Sequence, residues 1–227
     1  MPALDGQDEI SLHGFLQQAF ACSPEIAASI GRCAAERRFP ADAVVIRQGD
    51  PLSEAFLVRL GRARARSYGR EGQVVLLQEF LPGDLLGALV DTQRQASGEE
   101  VVAVEDTWMA VFLTAEFLAL AERHGCVGLA LSRSLLRQLR AATERMVART
   151  TLSAFGRIYA ELLRLADLAD GRLIRPAPVL TALANRVQTT RETASRAVSA
   201  LERRGVVRRE GDGLAIVARH RLEDLVA

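Results

Sequence analysis

The chain contains no lysine; all 29 of its Lys/Arg positions are arginine. A genome-wide codon bias accounts for that absence without a functional reason. Cysteine is scarce as well. Cys22, Cys33 and Cys126 are an odd and scattered set with no close CxxC pair. Such spacing argues against a disulfide framework or a structural zinc site and reads as ordinary reduced thiols. No run of about eighteen apolar residues occurs, so no transmembrane helix is expected. The opening stretch MPALDGQDEI is acidic and lacks the basic and apolar regions of a signal peptide, so a cytoplasmic location is expected.

What is present is enough apolar material for real cores. Hydrophobic residues make up 49% of 227 residues, which suits one large or two modest domains. Net charge is +1, but it is uneven. Between residues 171 and 221 there are 11 Arg against 4 acids, a surplus of seven, whereas residues 1–149 carry 16 Arg against 19 acids. Clustered arginine is the electrostatic footprint of phosphate binding.

Three regions separate along the chain. Residues 7–34 read as helical, with Leu12, Phe15, Leu16 and Ala19 on one face and Ile26, Ile30 and Cys33 following Pro24. From 35 to 113 the pattern changes to short runs such as AVVIR, EAFLVRL, RARARSY, GQVVLLQEF, EEVVAVED and TWMAVFL, punctuated by Gly and Pro. That is the pattern of a small β-barrel or jelly roll. EFLALAERHG (116–125) then predicts a short helix, and 127–153 a long one. In the long helix Leu135, Leu139, Ala142 and Met146 keep a four-three-four spacing with arginines mostly outside it. This narrow seam suggests pairing with a second copy, although a helix packed on its own domain gives the same pattern. Gly156 interrupts the run, and Ile158 to Leu168 is a further amphipathic segment.

The end of the chain is the most informative. ADGRLIRPAP (169–178) breaks the helices, VLTALANRV (179–187) and QTT (188–190) follow, and then comes TTRETASRAVSALERRG (189–205). Its apolar stripe is Ala194, Val198 and Leu201, the one-face rhythm of a helix. GVVRREGDGLAIVARH (205–220) carries two β-like runs around EGDG, a hairpin signal. Helix, turn, helix, hairpin is the order of a winged helix-turn-helix. Thr190 can cap the second helix, and Glu192 lies in its first turn, where the dipole favours an acid. In the DNA-binding form of this motif the N-terminal residues of the second helix read base edges. Arg191 and Arg196 suit guanine, Glu192 can accept from the cytosine amino group, and Thr189, Thr190, Ser195 and Ser199 carry hydroxyls suited to phosphates.

TTRETASRAVSALERRGVV (189–207) resembles the recognition helix of the cyclic AMP receptor protein and fumarate-nitrate regulator (CRP/FNR) family. VVIRQGDPLSEAFLVRLGRARARS (44–67) and LPGDLLGAL (81–89) are similar to the two halves of that family's β-roll, so the resemblance covers most of the chain. It implies an α+β fold with three parts. A double-stranded β-helix (jelly-roll) sensor domain with N-terminal helices spans 1–125. A dimerisation helix spans 126–153, and a winged helix-turn-helix spans 154–227. It implies a homodimer joined through Leu135, Leu139, Ala142 and Met146 that binds a two-fold symmetric double-stranded DNA operator. It also implies contact with RNA polymerase when the protein activates.

Two departures from the family pattern matter. Its nucleotide pocket has Gly-Glu-Leu/Ile, followed about ten residues later by Arg-Ser/Thr-Ala. Here the first reads Gly87-Ala88-Leu89, and the second falls near QRQASGEEV (93–101), which has no such triplet. A cyclic phosphate without its arginine, facing Glu99 and Glu100, binds poorly. Arg94 is the one rescue candidate, and its spacing is wrong. Cyclic AMP is therefore not the expected effector. An unknown small molecule touching Ala88, Ser97 and Thr143 is the candidate instead. Secondly, Gln188 stands where the turn often has glycine, at a cost of about 1 kcal/mol if that residue is left-handed.

Other chemistries fit less well. A metal enzyme on a β-roll needs histidines on facing strands, but His13, His124 and His220 all lie outside the strand region. Iron–sulfur members of the family need clustered cysteines, and haem-binding ones a histidine in the roll. No metal and no cofactor is expected. Cys126 opens the long helix, where the dipole favours a thiolate, but a small buried side chain is the plainer reading. FLVRLGRARARSYGR is most simply a solvated strand face, although nucleic acid or an acidic partner could touch it. The alternative to DNA binding is a ligand-binding dimerisation module whose winged helix contacts a protein.

Overall fold

Residues 11–68, 74–89, 96–169 and 171–226 are described by the structure, a computed structural model. The chain divides into two compact units: Met1–Ser67 with Leu77–Ala141, and Tyr68–Leu76 with Ala142–Ala227.

The first unit is built around two four-stranded sheets. One has the order β1 (Ala35–Phe39), β8 (Thr107–Leu113), β3 (Glu54–Leu60), β6 (Leu85–Gly87). The other has the order β2 (Val44–Ile46), β7 (Glu100–Ala103), β4 (Ala63–Tyr68), β5 (Val74–Phe80). The neighbouring strands β1–β8, β8–β3, β3–β6, β2–β7 and β7–β4 all pair antiparallel. This is the jelly-roll expected from the short apolar runs.

The two kinds of run in the sequence reflect two kinds of sheet. The β3 and β8 sheet is buried on both faces. Phe56, Val58, Met109 and Val111 fill the space between the sheets. Ala55, Leu57, Ala110 and Phe112 pack outward against helices α1 (Leu12–Phe20), α2 (Pro24–Gly31), α3 (Thr114–Arg123) and the start of α4 (Gly125–Thr151). Hence EAFLVRL and TWMAVFL are nearly continuous in hydrophobicity. β4 is covered on one face only. Ala63 and Ala65 point into the core while Arg64 and Arg66 pair with Glu79 and Glu100, which gives the alternation of ARARSY.

Some boundaries differ from the sequence expectation. The helical segment 7–34 is two helices separated by Ala21, whose φ is 47°, and by Ser23, which caps α2; residues 7–10 lie outside the described part. β1 (AERRF) has no apolar alternation. Pairing with β8 and the bridge from Arg37 to Glu54 hold it instead. Gly156 does not break the helices. The break is at Leu152–Ser153, where the Ser153 hydroxyl accepts the Gly156 N–H at 3.0 Å and starts α5 (Ala154–Asp167).

The second unit holds α5, β9 (Leu173–Ile174), α6 (Leu180–Val187), α7 (Arg191–Arg203), β10 (Val207–Glu210), β11 (Gly213–Ile216) and α8 (Arg219–Asp224). Its core joins Ile158 and Leu162 of α5 to Leu183 and Val187 of α6, Ala194, Val198 and Leu201 of α7, and Leu214 and Ile216 of the wing. The EGDG hairpin turns at Gly211–Asp212, between the paired residues Glu210 and Gly213. β9 adds a third wing strand inside the segment that reads as a break, because Leu173 and Ile174 pair with Ala215 and Leu214. Among the described residues, no helix is long and apolar enough to cross a membrane.

Candidate nucleic-acid interface and effector pocket

The apolar stripe of α7 orients the helix. Ala194, Ala197, Val198 and Leu201 are buried, so Arg191, Glu192, Arg196 and Ser199 come out exposed on the opposite side, with Ser195 and Thr189 half-buried. Thr190 caps the helix as expected: its hydroxyl oxygen accepts the Thr193 N–H at 3.1 Å. That hydroxyl also meets the Thr193 hydroxyl at 2.9 Å, so its role is at least partly structural. Gln188 ends α6 with φ 51° and ψ 63°, the left-handed conformation a glycine would take without strain.

Many arginines of both units are ion-paired, in the second unit Arg164, Arg175, Arg186, Arg208, Arg209 and Arg219. In the roll, Arg37, Arg38, Arg59, Arg62, Arg64 and Arg66 are paired with Glu54, Asp106, Glu36, Glu105, Glu79 and Glu100 respectively. Those partners remove the case for FLVRLGRARARSYGR as a nucleic-acid face; Gly69 and Arg70 of that stretch lie outside the described residues. On α7, Arg191 and Arg196 are exposed and have no carboxylate partner among the described residues. Exposed guanidinium groups held in the first two turns of a capped helix are free to meet phosphate or base acceptors.

The long helix α4 has two apolar sides. Val127 is buried against the helical core of the first unit, with Ala130 and Leu131 packed beside it. The Ser134 hydroxyl accepts the Leu85 N–H at 3.1 Å, and the Gln138 side chain donates to the Leu85 carbonyl at 2.7 Å. The other side is uncovered: Leu135, Leu139 and Met146 are 45, 65 and 61% exposed, Leu136 adds 65%, and Ala142 is exposed between them.

The pocket candidates fall in both units, Ala88 and Ser97 in the first and Thr143 in the second. Ala88 is buried, and its N–H donates to the Glu54 carbonyl at 2.9 Å. Gly87 before it has φ +87°, and a Cβ there would come within 2.5 Å of the Glu54 oxygen, so the glycine serves the strand crossing. Ser97 is buried, and its hydroxyl donates to the Glu99 carbonyl at 2.5 Å. Thr143 is exposed on the part of α4 that groups with the second unit. Arg94 lies outside the described residues. Glu100 is neutralised by Arg66 at 2.7 Å, which corrects the expectation of two free carboxylates. Glu99 makes no ion pair among the described residues, and burial pushes its carboxyl above the ordinary range.

A jelly-roll followed by a long helix and a winged helix-turn-helix is the build of a transcription regulator. Residues 36–124 match the family described as cyclic nucleotide-binding domain, and residues 156–225 match the Crp-like helix-turn-helix domain. The chain is 32% identical to the cyclic AMP receptor protein of Thermus thermophilus over 76% of its own length and 79% of the relative's. It is 29% identical to the transcriptional activator protein FnrL of Cereibacter sphaeroides over 86% of its length and 82% of the relative's. The fold is shared with FixK2 of Bradyrhizobium japonicum at a TM-score of 0.74, covering 86% of this chain and 98% of that one at 22% identity. The chain belongs to the CRP/FNR family of transcription regulators. That membership makes it a regulator and not an enzyme.

Proposed function

We propose that this chain acts as a homodimer that reads a two-fold symmetric operator with α7, and that cyclic AMP does not activate it. The observation that carries the DNA reading is that Arg191 and Arg196 stand exposed, without a carboxylate partner among the described residues, in the first two turns of a capped helix. Arg191, Glu192 and Arg196 read bases; Thr189, Ser195 and Ser199, with Thr190 beside its capping role, face phosphates.

The dimer reading rests on the uncovered face of α4. Leu135, Leu139, Ala142 and Met146 are spaced for helix pairing, and fully burying a Leu or Met side chain is worth about 1.5–3 kcal/mol. The division of labour is then 1–125 for sensing, 126–153 for dimerisation and 154–227 for DNA, in the cytoplasm. The operator-bound dimer contacts RNA polymerase when it activates.

The effector reading rests on Ala88 in place of the family's glutamate and on the Ser97 hydroxyl being engaged in its own turn. Glu99 supports it by adding negative charge to a half-buried site, which raises the cost of a phosphate there. A different small molecule, contacted by the roll near Ala88 and Ser97, is the effector. Selection of bound sequences from random DNA, with the salt dependence of binding, tests the first reading. A protein that selects no sequence would be assigned to protein contact instead. Calorimetric titration with cyclic AMP and cyclic GMP tests the second, and micromolar binding that tightens DNA binding would overturn it.

A further inference from the structure

The last helix of the second unit forms one wall of a cleft. Arg221, Asp224 and the C-cap residue Leu225 of α8 are spaced three and four apart, so they share one side of the helix. Leu222, between them, is fully buried in the core. The facing wall is the end of α7 and the start of the wing. Arg204 ends α7, Gly205 turns the chain at φ +65°, and Val206 follows. Arg204, Val206, Arg221, Asp224 and Leu225 line a cleft of 340 Å³, at the small end of the range of about 300–1,000 Å³ for small-molecule sites. The charges of this cleft are uncommitted, while those around it are engaged. Arg209 pairs with Glu202, Arg208 with Glu210, and Arg219 with both Asp167 and Glu223. Arg203 donates to the Ser199 carbonyl. Arg204, Arg221 and Asp224 are exposed and make no ion pair among the described residues. Two cations and one anion therefore stand beside the aliphatic surface of Val206 and Leu225.

We propose that this cleft binds a free α-amino acid with an aliphatic side chain. The Arg204 and Arg221 guanidiniums take the carboxylate, the Asp224 carboxylate takes the ammonium, and Val206 and Leu225 receive the side chain. The charge pattern decides against other ligands of that size. A phosphate monoester sets its second negative charge against Asp224, a plain carboxylic acid leaves Asp224 unmatched, and a plain amine leaves both guanidiniums unmatched. The C-terminal end of α7 carries partial negative charge, which also favours the ammonium. A zwitterion with an aliphatic arm satisfies each group of the cleft. Bound there, it bridges α7, the wing and α8, and stabilises the second unit by mass action. All five lining residues belong to the second unit, so the site is separate from the effector reading of the roll.

The test is calorimetric titration of the full-length protein without DNA, so its result is independent of the DNA-binding reading. L-Leucine, L-isoleucine and L-valine are the probes, and at least one of them should bind saturably, one molecule per chain. Isocaproate, which is leucine without its amine, and isoamylamine, which is leucine without its carboxylate, should each bind at least about tenfold more weakly. Arg221→Gln and Asp224→Asn change exposed side chains and leave the core intact. Each should weaken the amino acid at least about tenfold. Asp224→Asn should leave isocaproate unchanged or tighter, because it removes a like charge. No saturable binding of any of the three amino acids at millimolar concentration would overturn the proposal. So would amino-acid binding that survives both substitutions, or isocaproate binding as tightly as leucine.

Discussion

Arg157 ties α5 to the last residue of α6: its Nε donates to the Val187 carbonyl at 3.0 Å. Its Nη1 donates to the Leu152 carbonyl, also at 3.0 Å. One guanidinium therefore serves two carbonyls at chain breaks, one just before the Ser153 cap and one just before the Gln188 turn. That turn sets the angle at which α7 leaves α6. Hydrogen bonds to charged groups are worth about 1.5–3 kcal/mol. Arg157→Ala should lower unfolding stability by about 2–3 kcal/mol in denaturant titration and weaken operator binding, although the residue is not on the exposed side of α7.

Arg191→Ala and Arg196→Ala should each cost about 1–3 kcal/mol at the cognate operator and relax the base preference at one position. Binding to random duplex should change much less. Equal losses on both duplexes, measured by fluorescence anisotropy, would reassign the residue to phosphate contact.

Leu139→Glu puts a carboxylate into the uncovered face of α4. Burying that charge in a helix seam is costly, so the variant should sediment as a monomer and bind a full operator much more weakly than the wild type. Leu139 is exposed in the single chain, so the change should leave thermal unfolding of the separate units nearly unaltered. A dimeric Leu139→Glu protein would refute the seam.

Gln188→Gly should stabilise the second unit by about 0.5–1 kcal/mol. The left-handed backbone costs a side-chain residue about 1–2 kcal/mol, and the extra freedom of glycine in the unfolded chain returns part of the gain. Chemical denaturation of the two proteins side by side measures it.

Glu99→Gln gives a pH signature. Burial raises the Glu99 carboxyl in the folded protein, so the fold holds that proton more tightly than the unfolded chain does. Stability then falls as pH rises from the ordinary glutamate range through the raised folded value, and the loss persists above it. The glutamine variant escapes that loss. It should be the more stable protein at neutral pH, with the difference vanishing as pH falls below the ordinary glutamate range. A difference independent of pH would show that packing and not ionisation separates the two.

Much of this protein was legible from local pattern. The stripe Ala194, Val198 and Leu201, the Thr190 cap and the EGDG hairpin are contacts within a few residues, and short-range spacing encodes them. The four-three-four apolar spacing of α4 was readable for the same reason, and the residues that carry it are exposed in the single chain. The alternation in RARARSY gave one buried face, but only the tertiary structure decided that the charged face faces acids: Arg64 meets Glu79 and Arg66 meets Glu100 through strand pairing, not sequence proximity. Strands β1 and β9 escaped pattern reading because partners far along the chain hold them, with little apolar signal of their own. Sequence by itself determined which side of each helix is apolar; tertiary structure decided which charges are neutralised and which distant groups meet, because both depend on contacts that no local period records.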